Sequence, residues 1–306
     1  LQSRRLQREE GSLSAPFWRT SFFNLALGAI WILDGLLQLQ PYMFSRSFEI
    51  QVVRSAAMSL PTPINAWFLT VISAYMVPYA KLLNVVFCSI ELVTGVLLLL
   101  RKKFLVIAGN VLSAIWGFLI WVFGEGFGGT LTLSVVHLNL SYPETLFTGF
   151  PGAALLYALI SVFILVSFKK RFLKEASRLT AILIFGVGAL IQLLPQFFDP
   201  RVQFSMFVSS VLMGSAPHSL VPYIVKLASW AFFHPVVANV AEIMASLSIA
   251  FTLILNKKAV IPLSAVYLAF VWAFGMGFMG LFNGVATDLG TPPLLFVLVL
   301  CATLAR

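Results

Sequence analysis

The chain is 306 residues long, 60% hydrophobic and only 10% charged, with a mean hydropathy of +0.97. A soluble core of this size cannot hide so much apolar surface, which excludes a soluble enzyme and makes a bilayer the expected solvent. The formal net charge of +9 would point to nucleic acid in a soluble protein, but the basic residues gather in alternate loops, so no nucleic-acid partner is expected.

A spanning helix needs about 20 predominantly apolar residues, and eight runs approach that requirement: 21–40, 79–100, 104–123, 150–168, 179–198, 236–255, 259–282 and 291–305. Residues 1–20 form a charged tail expected on the cytoplasmic side. The run that follows is long for a signal peptide and reads as a retained first helix. Within it Asp34 and Gln38 are four apart and share one helix face. A carboxylate exposed to lipid is costly, so that face should point into the bundle or a cavity. Residues 42–78 are apolar but interrupted, with an amphipathic stretch over 48–60, a Pro-Thr-Pro break at 61–63 and an apolar run over 64–77 that Pro78 should stop. Such short runs suit interfacial or re-entrant hairpins on the outer face. In the second span Asn84, Cys88, Glu91 and Gly95 fall on a single helical stripe. The third span holds Asn110 and closes in Trp121-Val122-Phe123-Gly124-Glu125-Gly126-Phe127-Gly128-Gly129. A polar outer loop with His137, Asn139 and Glu144 leads to the fourth span.

The pattern then starts again. WVFGEGFGG at Trp121 returns as WAFGMGFMG at Trp272, identical at six of nine positions, and LLQLQPYMF at Leu36 returns as LIQLLPQFF at Leu190. Similarity at a fixed period marks a tandem duplication. The expected fold is therefore an all-α integral membrane protein of about eight transmembrane helices, arranged as two tandem four-helix bundles. The first unit covers 21–170, a basic cytoplasmic linker 171–178, and the second unit 179–306. Gly124, Gly126, Gly128 and Gly129, with Gly275, Gly277 and Gly280, form a packing motif in which Gly124 and Gly128 read as a small-xxx-small pair.

Arg4, Arg5, Arg8 and Arg19, the turn Arg101-Lys102-Lys103, the linker residues Lys169, Lys170, Arg171, Lys174 and Arg178, the turn Lys257-Lys258, and Arg306 all fall in alternate loops. The positive-inside rule makes those loops and both termini cytoplasmic, with the two units parallel in a cell membrane. Asp34, Gln38, Glu91 and Glu125 are the candidates for a polar pocket, since intramembrane acids mark functional positions. Glu125 lies between glycines that permit close approach of a ligand. Its counterpart is Met276 and that of Asp34 is Gly188, so one polar site is expected, in the first unit. Glu242 sits one turn before Ser246, the counterpart of Glu91. Arg46 and Arg54 break the inside bias and are candidates for an outward anion site, or for pairing with Glu125 and Asp34. Cys88 and Cys301 lie in different units and make no disulfide framework. His137, His218 and His234 all fall outside the spans without ligand spacing, and no nucleotide loop is present. No metal site is therefore expected, and no haem or flavin bound by this chain alone.

ILDGLLQL over Ile32 to Leu39, the long proline-containing outer segment, and SIELVTGVLLLL over Ser89 to Leu100 before a basic turn resemble a DoxX-type four-helix membrane unit, and both halves share the resemblance. It implies a membrane subunit working beside other membrane or redox subunits. In that role the chain would be an accessory or quinone-interacting part of a respiratory or sulfur-oxidising complex, with no cofactor bound by this chain alone and quinone as a possible one. The residues leave two other readings open: a small-molecule or ion carrier using Asp34, Glu91 and Glu125, and an assembly factor for a membrane redox enzyme.

Overall fold

The computed structural model describes residues 22–48, 50, 64–100, 102–128, 144–167 and 172–305. The N-terminal tail, the Pro-Thr-Pro break, Arg54, Gly129, His137 and, of the basic linker, Arg171 lie outside the described residues. Among those described there are helices and turns and no strand. In chain order the helices are α1 (Phe22–Leu37), α2 (Ile64–Leu99), α3 (Lys103–Phe123), α4 (Ala153–Ser167), α5 (Leu173–Gln192), α6 (Pro200–Leu212), α7 (Val221–Phe233), α8 (Pro235–Ile254), α9 (Val260–Gly275) and α10 (Thr291–Leu304). Short 3-10 turns at Pro41–Phe44 and Pro195–Phe198 follow α1 and α5.

Four helices, α2, α3, α5 and α8, are long and apolar enough to cross a membrane. Only 33% of the most apolar window of α2 and 28% of that of α3 is buried. Their outward faces are therefore apolar too, with Leu82, Phe104 and Ile115 among the exposed side chains, as a lipid-facing helix requires. Among the described residues the remaining apolar runs form helices of 10–17 residues. Gly152 (φ +102°) and Gly290 (φ +79°) adopt left-handed backbone immediately before α4 and α10, so those helices cannot begin earlier.

The segment before the second span also departs from expectation. Pro78 does not stop the run that begins at Ile64; the helix passes through it to Leu99. Proline removes a donor and crowds the carbonyl one turn back. Here the strain is taken up by a π turn over Ile72–Met76 and a kink at Tyr79 (φ −112°, ψ 18°). At the corresponding place in the second half the chain breaks outright: α7 ends at Phe233, His234 is non-helical (φ −131°, ψ 51°), and Pro235 starts α8.

Small residues let α1 and α2 touch. A Cβ on Gly95 would lie 2.6 Å from Ile32 Cγ1 and 2.8 Å from the Gly28 carbonyl oxygen. Behind this contact Trp31 is buried and stacked on Tyr157 of α4 at 4.0 Å between ring centroids. Its indole N–H donates to Ser113 Oγ at 2.8 Å, and Ser161 Oγ donates to the same oxygen at 2.7 Å, tying α1, α3 and α4 together. One device recurs at the ends of α1 and α5: Asn84 Nδ2 donates to the Gln38 carbonyl and Asn239 Nδ2 to the Gln192 carbonyl, each at 2.8 Å.

The repeated glycine motif forms the same turn twice. Gly126, Phe127 and Gly128 have φ of +57°, +62° and +58°, and Gly277, Phe278 and Met279 have +57°, +55° and +57°. In each copy the tryptophan meets the phenylalanine edge to face, Trp121 with Phe127 at 5.2 Å and Trp272 with Phe278 at 4.9 Å. The small-xxx-small reading is therefore corrected. Gly124 caps α3 in right-handed backbone and Gly128 lies beyond the helix, so the two form no helix stripe; Gly126, Gly128, Gly277 and Gly280 supply left-handed backbone instead. Gly128 also faces the Pro151 carbonyl with no room for a side chain.

Two substitutions separate packing from propensity. Gly95→Val should destabilise the protein by about 1–3 kcal/mol, as overpacking does. Gly186→Ala in α5, where a Cβ meets nothing within 4 Å, should leave stability unchanged or raise it by up to about 1 kcal/mol. Melting temperatures in one detergent test the pair, and equal losses would remove the close-contact account of α1 and α2.

Candidate functional site

Asp34 sits on the inward face of α1 at 2% exposure. Oδ2 accepts the Tyr157 hydroxyl from α4, and Oδ1 accepts the Leu289 N–H at 3.2 Å from the loop before α10. One turn on, Gln38 Nε2 donates to the Thr287 carbonyl at 3.3 Å. The loop of the second half thus docks on the first helix of the first half. The reverse also holds, since Leu146 fills the space above Gly188 of α5, Phe147 covers Gly275, and Thr291 Oγ1 donates to the Gly149 carbonyl at 2.6 Å.

Between α1, α2, α3, α4 and that loop lies a cavity of about 560 Å³. Asp34, Gln38, Glu91 and Glu125 all line it, and they are joined by Asp288 of the second half. The rest of the wall is mostly apolar and aromatic, with Trp31, Phe68, Phe87, Trp116, Phe123 and Tyr157 among the lining residues. Among the described residues no Lys, Arg or His lines it. Arg46 is exposed on the turn Arg46–Phe48 and does not join the acids, and Arg54 lies outside the described residues. The two ion pairs among the described residues, Arg178 with Glu175 and Arg201 with Asp199, are elsewhere.

Glu91 comes from the buried stripe of α2 together with Asn84, Cys88 and Gly95. It is 3% exposed, and its Oε2 accepts no hydrogen bond from the described residues. The Trp116 indole N–H is turned toward Glu91 but closes no hydrogen bond. Glu125 follows the end of α3. Its Oε1 accepts the Ala154 N–H at 3.1 Å in the first turn of α4, a favourable place for a carboxyl. Burial pushes its pKa up to about 8, the nearby Asp288 adds to the rise, and the Ala154 and Ala153 N–H groups pull against it. Asp288 is likewise raised by burial, against the Thr287 hydroxyl and Gly290 N–H that it accepts. A second cavity of about 160 Å³ shares Glu125 and Asp288 and adds Glu144, whose carboxyl burial also raises. Met276 lines this second space beside Gly290, while Glu125 occupies the equivalent place beside Gly152.

Reading the sequence alone misses Asp288, Tyr157 and Trp116. Tyr157 carries a weak signal, because aligning Gly152 with Gly290 sets it against Leu295, another position where only the first half is polar. Asp288 carries a signal for a helix start, in Thr287-Asp288-Leu289-Gly290 ahead of Thr291-Pro292. Nothing in that pattern says that the loop crosses to the other half. Glu242 stays apart from the cavity, with Oε2 accepting Gln192 Nε2 at 2.6 Å. The chain matches no protein-family model, no curated protein and no solved structure.

The raised pKa of Glu125 has a defined pH consequence. Between about pH 4.5 and about 8 the folded protein keeps this proton and the unfolded chain releases it. Stability should therefore fall as pH rises through that window and level off above it, by at most about 1.4 kcal/mol per pH unit from this group. Asp288 and Glu144 act in the same direction. Glu125→Gln should flatten the slope, so that wild type compares best with the variant near pH 5 and worst near pH 8.5. Parallel melting curves for the two proteins across this range would overturn the assignment.

Proposed function

We propose that the chain is a multi-pass membrane protein of two tandem four-helix units in parallel orientation, and that it binds and carries a small molecule in the cavity of the first unit. Convergence of Asp34, Glu91, Glu125 and Asp288 on one apolar space is the observation that carries this reading. Acids inside a bilayer are costly unless they face a cavity or each other, and they mark ligand or proton pathways. The volume falls in the range of small-molecule sites, and the wall pairs apolar bulk with a few polar groups, as such sites do. The basic turns at Lys102 and Lys257 support a cytoplasmic position for both, with eight spans and both termini on that side of the cell membrane.

A second reading follows from the resemblance to DoxX-like proteins. Here the chain is a quinone-interacting or accessory subunit of a respiratory or sulfur-oxidising complex, or helps assemble one. The unpartnered Trp116 N–H in the cavity favours it, because a quinone carbonyl is the acceptor such a donor lacks.

The chain purified alone in nanodiscs should retain a small molecule visible by native mass spectrometry. Ile120→Trp, which fills the cavity, should lower its occupancy at least tenfold. Equal occupancy in the variant would remove the cavity from consideration. Copurification with haem- or metal-bearing partners, and loss of the small molecule without them, would favour the second reading. For topology, cysteines placed at positions 102 and 257 should both label only from the cytoplasmic side, and labelling of the two from opposite sides would rule out parallel units.

A further inference from the structure

The character of the cavity wall narrows what it can hold. Four carboxyls line it, from α1, α2, the end of α3 and the loop before α10, and among the described residues no basic side chain lines it to balance them. Two acceptor atoms there find no donor among the described residues. Glu91 Oε2 belongs to a residue only 3% exposed, and Gln38 Oε1 to one only 8% exposed. A buried acceptor with no donor costs free energy that a ligand can recover. Aromatic rings line the same space, with Phe68 against Phe123 at 5.1 Å and Phe87 against Trp116 at 5.2 Å between ring centroids. Ring faces attract cations and disfavour anions, most strongly where water is excluded.

We propose that the cavity of the first unit takes a lipophilic organic cation, its charged head set toward Glu91 and Glu125 and its apolar body against the aromatic wall. The proposal rests on the small-molecule reading above and names its substrate class. Four carboxyls this close in a low-dielectric space cannot all be ionised without a counter-charge. Entry of a cation supplies that charge, so a carboxylic acid O–H gives its proton to bulk water and the resulting carboxylate pairs with the ligand. Cation uptake is thereby coupled to proton release, and binding strengthens as pH rises. The groups facing Glu91 and Glu125 in this titration are Asp34 from α1, Tyr157 from α4, Asp288 from the loop before α10 and Glu144 from the loop before α4. The second unit offers no equivalent, since Gly188 and Met276 replace Asp34 and Glu125.

Tetraphenylphosphonium and tetraphenylborate have the same shape and opposite charge, and they provide the test. Equilibrium binding to the full chain in nanodiscs, corrected for empty discs, should show one saturable site for the cation and none for the anion. The cation should bind at least tenfold tighter at pH 8.5 than at pH 6. Glu91→Gln and Glu125→Gln should each weaken it at least tenfold, with a retained melting transition showing that the variants fold, while Glu242→Gln in the second unit leaves it unchanged. If Glu91→Gln fails to fold, Glu125→Gln carries the test. Equal binding of cation and anion would overturn the charge selectivity and leave the small-molecule reading standing. Binding of neither ion, with a neutral decyl-benzoquinone also excluded, would remove both.

Discussion

Asp34 holds the tertiary structure together at its centre. Its carboxyl is buried, and it accepts the Tyr157 hydroxyl and the Leu289 N–H at once, so one side chain joins α1, α4 and the loop that leads into α10. A carboxyl in an apolar interior is tolerated only when such partners are supplied, and each partner would in turn be orphaned without it. The Gln38 bond to Thr287 one turn further on extends the same seam. Because the loop is held there, Asp288 faces the cavity, and without this docking the space would lack one of its walls.

The seam also shows where two similar halves differ. The repeated motif builds the same left-handed turn with the same tryptophan-on-phenylalanine contact in both copies. The backbone is conserved between them while the chemistry at its edge is not. Glu125 reaches the first turn of α4 where Met276 merely packs beside Gly290. Asp34 meets a loop backbone where Gly188 instead admits Leu146. In each case the polar member lines the larger cavity and its apolar counterpart does not. The Asn84 and Asn239 bonds are identical in the two halves because they serve a need both share, an acceptor left open at the end of the preceding helix.

Concentrating carboxyls in so apolar a space has an electrostatic cost that shapes what the cavity can do. Burial favours the neutral form of Glu125, Asp288 and Glu144, and neighbouring acids reinforce it, since like charges at short range disfavour ionisation. The resting cavity is therefore rich in protons, and a ligand that brings positive charge displaces them. Affinity for such a ligand and stability of the empty fold then respond to pH in opposite senses, because ionised carboxylates weaken the fold and attract the cation.

Several features of this protein follow from its sequence alone, because they depend only on local periodicity and composition. The all-helical character, the apolar runs, the shared face of Asp34 and Gln38, the buried stripe of Asn84, Cys88, Glu91 and Gly95, and the repeated turn are all written within about ten residues of one another. The continuity of α2 through Pro78 was not legible, since a π turn that relieves a proline leaves no pattern in residue types. Nor was the exposed position of Arg46, because charge complementarity in sequence says nothing about which groups meet. Above all, the arrival of Asp288 and Leu289 at the first half depends on two loops crossing between units. The Asp34 to Leu289 contact alone joins residues 255 positions apart, and only packing of the whole chain decides it.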